Sequence, residues 1–275
     1  MATERSLTGK VAIVSGSAKG IGAATCVELA SRGALVIVNY PWPSEKSDAE
    51  DVLRRIEVTK GAAAAECRAV EADLSTLDGP QRLVDETVRL TGKHIDILIN
   101  NAGVAIMRPL KEVDLRQWDT QLNLNARGML LLTQAVLPHL AQDSRIVNVS
   151  SVGARQGYVG SSIYNGTKSM VESFTRCWAL EFGRQYRCTV NAVEPGPTNT
   201  HGFNHSGPDF LEKIQPMLDA TPMGSRLAEP SEIAHAIAFL CERRSGWITG
   251  AYYDDYKHAS VKFVIRAVTK TTKVG

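Results

Sequence analysis

No apolar run in this chain approaches the ~18 residues of a membrane span, which excludes a transmembrane helix. Cysteines carry no pattern: Cys26, Cys67, Cys177, Cys188 and Cys241 are scattered, odd in number and never spaced C-x-x-C. That excludes a disulfide framework and reads as reduced, mostly buried thiols of a cytoplasmic protein. No His/Cys/carboxylate cluster has metal-ligand spacing, so no metal site is expected. The net charge of +2 gives no strong field to draw in nucleic acid or a lipid surface. The opening MATERSLTGK lacks the apolar core of a secretory leader. Repeats, low-complexity tracts and Pro/Gly-rich linkers are missing too, so residues 1–275 read as one domain.

What is present is an alternation of short β-branched runs and longer helical patterns. Strands are predicted at 11–14, 34–38, 68–73, 95–99, 145–150 and 189–193. Helices are predicted from the glycine loop to Arg32, at 44–60, 79–91, about 114–141, about 161–182 and 230–241. With right-handed crossovers this gives an α/β, doubly wound, mostly parallel sheet with helices on both faces.

The first strand feeds Ser15-Gly16-Ser17-Ala18-Lys19-Gly20-Ile21-Gly22. Glycines between a strand and a helix let the backbone turn sharply and approach a pyrophosphate. The helix N-terminus adds free N–H groups and the positive end of its dipole. The same residues also suit a plain tight turn, and their spacing is G-x-x-x-G-x-G. A carboxylate at the end of the second strand would take the ribose hydroxyls and repel a phosphate. That end reads Val38-Asn39-Tyr40, without an acid, and Lys19 stands inside the loop. Together these favour NADP(H) over NAD(H), with Lys19 meeting the extra phosphate.

Tyr164 and Lys168 are four residues apart, on one face of a predicted helix, with Ser151 thirteen residues before the Tyr. A lone Y-x-x-x-K is short and common, and by itself is an exposed helix pair. A phenol normally titrates at about 10. A neighbouring ammonium favours the phenolate and brings the group into range as a general acid or base. A Ser hydroxyl on the same substrate oxygen would hold and polarise it.

These ordered motifs resemble the short-chain dehydrogenase/reductase family, the single-domain Rossmann branch, over about residues 8–250. The family's T-G-x-x-x-G-x-G stands here with Ser15 in place of Thr. The resemblance implies that Ser15, Gly16, Ser17, Lys19, Gly20, Ile21 and Gly22, with Asn39 and Tyr40 at the strand end, surround the dinucleotide. Asp73-Leu74 is similar to the family's D-L/V and implies an adenine contact. Asn100-Asn101-Ala102-Gly103 is similar to its N-N-A-G, with Asn101, Ala102 and Gly103 lining the cofactor. Asn125, in Asn125-Ala126-Arg127-Gly128, matches the catalytic Asn, with Asn123 a nearby decoy. Ser151, Tyr164 and Lys168 fall on the rest of the tetrad. Pro195-Gly196 matches the P-G turn, and Thr198 and Thr200 follow it, Thr200 at the nicotinamide carboxamide. Tyr164 is then the general acid, Lys168 lowers its pKa and holds the ribose, Ser151 fixes the substrate oxygen, and Asn125 holds a water. A homo-oligomer, dimer or tetramer, through the two long helices is implied as well. Two points depart from the family. Gly166 stands early in the catalytic helix, where it reads as a close-packing site. After Gly250 the usual D-G-G is replaced by Ala251–Tyr256 and a basic tail, with a strand-like alternation at 261–268.

Three segments, 104–110, 152–159 and 201–226, should line a substrate pocket, with 198–226 as its lid. The lid carries Phe203, Phe210, Ile214, Met217, Leu218 and Met223, and Tyr158 and Met107 are further wall candidates. His201 and His205 read as solvated loop residues. Such a wall suits a small, fairly apolar, ring-containing carbonyl compound. The whole is similar to fungal hydroxynaphthalene- and polyketide-type ketoreductases and to 3-oxoacyl carrier-protein reductases. The absence of a basic dock for a carrier protein leans towards the former. Two alternatives remain: an NAD(P)-dependent alcohol dehydrogenase working oxidatively, and a nucleotide-binding member without catalysis.

Overall fold

The computed structural model describes residues 5–60, 66–204, 208–221 and 223–254. Strand β1 (Val11–Val14) is buried along its whole length. Val11 and Ile13 face one core and Ala12 and Val14 the other. Strands apolar on both faces are what a parallel sheet covered on two sides requires. The others are β2 (Leu35–Tyr40), β3 (Arg68–Glu71), β4 (Ile95–Asn100), β5 (Leu140–Val149), β6 (Thr189–Glu194) and β7 (Tyr252–Asp254). Their order is β3-β2-β1-β4-β5-β6-β7, and every pairing is parallel. The doubly wound α/β reading is thus observed. Strand order reverses between β1 and β4, and the crevice beyond their carboxyl ends is where such sheets take ligands.

In chain order the helices are α1 (Gly20–Ser31), α2 (Lys46–Lys60), α3 (Gly79–Thr91), α4 (Leu115–Leu122), α5 (Met129–Val136), α6 (Ser162–Tyr186), α7 (His201–Asn204), α8 (Pro208–Asp219) and α9 (Pro230–Cys241). Cys26 and Leu29 of α1, Ile56 of α2 and Ile237 of α9 close one core; Leu83 of α3, Leu132 of α5 and Trp178 of α6 close the other. Each fully buried Ile or Leu stabilises the fold by about 1.5–3 kcal/mol relative to exposure. Along α6, Phe174, Trp178 and Phe182 stack with centroids 5.2 and 6.3 Å apart.

The predicted helix over 114–141 is corrected. Asp114 starts α4 with a capping box to Gln117, but 123–128 then forms a π-helical turn before α5 begins. Pro138 stands in a 3-10 turn over 137–139, and Leu140 already belongs to β5. Proline cannot continue the helical ladder, so the strand starts five residues earlier than its apolar run suggested. β5 bulges against β4, where Leu140 pairs with Ile95 and Arg145 with Ile97. After Gly250, β7 pairs beside β6; the alternation at 261–268 lies outside the described residues.

Two glycines separate packing from propensity. A Cβ on Gly128 would stand 2.2 Å from the Leu74 carbonyl oxygen. One on Gly166 would meet nothing within 4 Å, so the close-packing reading of Gly166 does not hold. We expect Gly128→Ala to destabilise by about 1–3 kcal/mol through backbone displacement. Gly166→Ala should stabilise by about 0.5–1 kcal/mol through helix propensity. Thermal melts would show this as a fall for the first and a rise of about 1–4 °C for the second. A lowered melting point for Gly166→Ala would contradict the open environment.

Candidate active site

The glycine loop hangs between the ends of two strands. The Ser15 hydroxyl donates to Ile99 O at 3.2 Å and accepts from the backbone N–H groups of Asn101 and Ala102 at 2.9 and 3.0 Å. The Asn101 amide donates to Ser15 O and Gly16 O, both at 2.9 Å. From the other side, Asn39 Oδ1 accepts from Gly16 N at 2.9 Å, and its Nδ2 donates to Ala72 O at 3.0 Å. Asn39 N donates to Ser17 Oγ at 2.9 Å, and that hydroxyl donates to Val14 O at 2.7 Å.

Gly16 has φ +57°, and a Cβ there would meet Ala102 Cα at 2.8 Å; one on Gly22 would meet the Asn101 amide nitrogen at 2.6 Å. The loop therefore presents bare backbone at the start of α1. That helix has no side-chain cap and no acid in its first turn. Free N–H groups and the positive dipole end fit an anionic pyrophosphate.

The residues predicted to surround a dinucleotide fall into two groups. Gly16, Lys19, Gly20, Ile21, Asp73, Asn101, Ala102, Gly103, Gly196 and Thr200 keep exposed surface. Ser15, Ser17, Gly22, Asn39, Tyr40, Leu74, Pro195 and Thr198 are buried and brace the others. Asp73 shapes its own turn, accepting from Ser75 N and Oγ at 2.9 and 2.8 Å. Thr198 Oγ donates to Gly196 O at 2.9 Å. A Cβ on Gly20 would lie 3.2 Å from the Thr200 methyl, so the segment after β6 closes against the glycine loop.

The second cluster assembles on β5 and α6. Ser151 follows β5, caps the short turn over 152–154 and accepts from Gly153 N at 3.1 Å. Tyr164 and Lys168 lie one turn apart on α6, with Lys168 Nζ 5.8 Å from the phenol ring centroid. Lys168 is 5% exposed. Its ammonium donates to Val149 O at 2.8 Å, and burial lowers its pKa to about 8. Tyr164 does not follow the sequence expectation: desolvation raises its pKa, and a hydrogen bond with Ser151 only partly offsets this. The physical reason is that the phenol has lost water, while the ammonium is directed to a carbonyl.

Asn125 sits in the π-helical turn and is buried. Its amide pairs with Val104 N and O, both at 2.8 Å, and donates to Thr167 Oγ at 3.1 Å. Asn125 Oδ1 and Lys168 Nζ each lie 3.4 Å from the Cβ position of Gly103, which makes them neighbours. The structure thus brings Asn125, Ser151, Tyr164 and Lys168 together beside Gly103, at the same sheet edge as the glycine loop.

Sequence reasoning missed two carboxylates. Lys19 Nζ lies 3.1 Å from Asp48 Oδ2 and 3.6 Å from Glu45 Oε1. The hydrogen bond with Asp48 is the largest of the influences raising its pKa. Both acids fall within a stretch read as a polar-faced helix. Acids in a first turn next to a strand end were the available signal. On the substrate side, Tyr158 donates to Gln156 and reaches Met217 Sδ of α8 at 4.0 Å. Ile214 and Leu218 of α8 are buried. The side chain of Phe210, and His205, lie outside the described part.

Residues 16–254 match the family model described as enoyl-(acyl carrier protein) reductase. The chain is 39% identical over 249 residues to the short-chain dehydrogenase/reductase FrzI of Cladobotryum sp, covering 90% of this chain and 94% of that one. It is 38% identical over 259 residues to the hydroxynaphthalene reductase-like protein Arp2 of Metarhizium robertsii, covering 90% and 94%. The solved angucycline C-6 ketoreductase LanV with bound NADP superposes with a TM-score of 0.82 at 31% identity, covering 91% and 95%. With the sheet order, the glycine loop and the clustered Ser, Tyr, Lys and Asn pointing the same way, the chain belongs to the short-chain dehydrogenase/reductase family.

Proposed function

We propose that this oxidoreductase reduces the carbonyl of a small, fairly apolar, ring-containing compound, with NADP(H) as its cofactor. The observation that carries the reading is the meeting of Ser151, Tyr164 and a buried Lys168 beside the crevice that the glycine loop opens. A bound reduced nicotinamide supplies the hydride. NADP is supported by Lys19 within the loop, by the lack of an acid at the tip of β2, and by the NADP in LanV.

The chain's own groups do the rest. Burial raises the Tyr164 pKa, and the protonated phenol is the form a general acid needs to protonate the carbonyl oxygen. Ser151 holds that oxygen. Lys168, charged below about 8, holds ribose hydroxyls and favours the developing phenolate. Asn125 fixes the 104 loop against α6 through Val104 and Thr167. Alcohol oxidation would use the same residues with the phenolate as base, so cofactor preference and the equilibrium separate the two directions. The complete set of four disfavours a non-catalytic role.

Around this centre we read Gly16, Lys19, Gly20, Ile21, Asp73, Asn101, Ala102, Gly103, Gly196 and Thr200 as cofactor contacts. The segment 198–226 is the lid, its apolar side formed by Ile214 and Leu218. The likeness to hydroxynaphthalene reductase-like Arp2 supports a polyketide-type substrate of secondary metabolism. Free cysteines, four of the five buried, support a cytoplasmic setting. Exposed Leu115 and Trp118 on α4 and Met170 and Leu180 on α6 support a homo-oligomer through those helices.

Tyr164→Phe should lower kcat for ketone reduction by about 10²–10⁴-fold and leave the NADPH dissociation constant within about twofold. Retained turnover would remove the acid assignment. The buried amine sets a pH limit. In the free enzyme Lys168 is charged below about 8, so kcat/KM for reduction should hold at lower pH and decline as pH rises through that value. Lys168→Arg, which stays charged, should abolish the decline even where its rate is lower. A wild-type profile flat to pH 10 would rule the amine out. Because the folded-state pKa lies below the ordinary 10.5 of a lysine, the unfolded chain binds the extra proton in between. This group's contribution to stability therefore rises from about pH 8 to 10.5.

A further inference from the structure

The ribose-reading position at the tip of β2 is spent on the fold. Asn39 is 1% exposed, accepts from Gly16 N with Oδ1 and donates to Ala72 O with Nδ2. No side-chain atom is left there to address a ribose. The charged groups that do face the loop are Lys19, Glu45 and Asp48. Pro43 opens the 3-10 turn that carries Glu45, and Asp48 lies in the first turn of α2, so both acids ride on ordered backbone. All three side chains are 29–39% exposed and open to an incoming ligand.

A dianionic phosphate and a ribose diol meet this triad differently. The phosphate gains Lys19 but must share it with two carboxylates and is repelled by both. The diol donates to the carboxylates and meets no repulsion. We propose that Glu45 and Asp48 are specificity-determining residues that restrain the phosphate preference of Lys19, so that the chain accepts both NADPH and NADH. This rests on the NADP(H) reading of the same crevice and deepens it. Neither acid touches reacting atoms; they act through Lys19 and through repulsion.

Partly exposed ion pairs are worth a few-fold each, which sets the scale of the test. Dissociation constants for NADPH and NADH would be measured by nicotinamide fluorescence at two salt concentrations for four proteins. These are wild type, Glu45→Gln/Asp48→Asn, Lys19→Ala and the triple variant, with circular dichroism melts confirming that each folds. The double variant should bind NADPH about fivefold to tenfold more tightly and NADH no better than wild type. Its NADPH affinity should depend more steeply on salt, and adding Lys19→Ala should reduce the gain to the part that comes from relieved repulsion. Unchanged NADPH affinity in the double variant, or an equal gain for both dinucleotides, would each overturn the proposal while leaving the cofactor reading intact. A folded wild type that binds neither dinucleotide would overturn the cofactor reading and this proposal with it.

Discussion

An amine withdrawn from water is the constraint around which this molecule is built. Moving the Lys168 pKa from 10.5 to about 8 disfavours the charged form by about 3 kcal/mol. That is a sizeable share of the marginal stability of a typical domain. The fold answers with fixed partners. Val149 O receives the ammonium at 2.8 Å, and Ser150 Oγ donates to the backbone carbonyl of Lys168 at 3.1 Å. Both come from the end of β5 or the residue after it, so the contact that satisfies the amine and the one beside it on the Lys168 backbone set the register of α6 against the sheet. Tyr164, one turn earlier, is positioned as a consequence.

The core and the loop were legible because each depends on local chemistry. Apolar strands at β1, β2 and β4 and glycines before α1 admit few other arrangements. The titration state of Tyr164 was not legible. Spacing on a helix reports that a phenol and an amine are neighbours, not which way the ammonium points or how much water remains. Here the ammonium is directed to Val149 O, and burial of the phenol outweighs its hydrogen bond with Ser151. Glu45 and Asp48 were hidden for a similar reason. Their distance from Lys19 in the chain is bridged only once β2 and the turn after Trp42 are folded.

Resemblance transfers a position more reliably than a role. Ser15, Ser17 and Asn39 occupy positions implied around a dinucleotide, yet their side-chain atoms bond to Ile99, Val14, Ala72 and one another's backbone. They hold the loop open; Gly16, Gly20 and the N-terminus of α1 present the surface. An Asp at 39 could still accept from Gly16 N, but it could not donate to Ala72 O. The β2–β3 edge would then carry an unpaired buried carbonyl, with a penalty of about 1–3 kcal/mol. The choice of Asn at this strand end is therefore partly a structural one. It moves any decision between phosphate and hydroxyl outward to charged groups that remain free to turn.

The π-helical turn over 123–128 shows why one feature escaped the hydrophobic pattern altogether. Buried positions run 121, 125, 126, 128, 129, 132, 133 and 136, and all but 126 keep the spacing of an unbroken α-helix. Periodicity registers which face is inward, and that face does not change. What changes is the backbone pairing, and such turns recur at functional sites. Gly128 approaches Leu74 O closely enough to forbid a Cβ, so the widened turn is pressed against the loop after β3. From there Asn125 reaches both Val104 and Thr167. The 104 loop and α6 thus meet at one amide, three residues from a glycine whose replacement would displace backbone. A regular helix would satisfy the apolar pattern equally well, so it is the contacts of Asn125, not the pattern, that mark this turn.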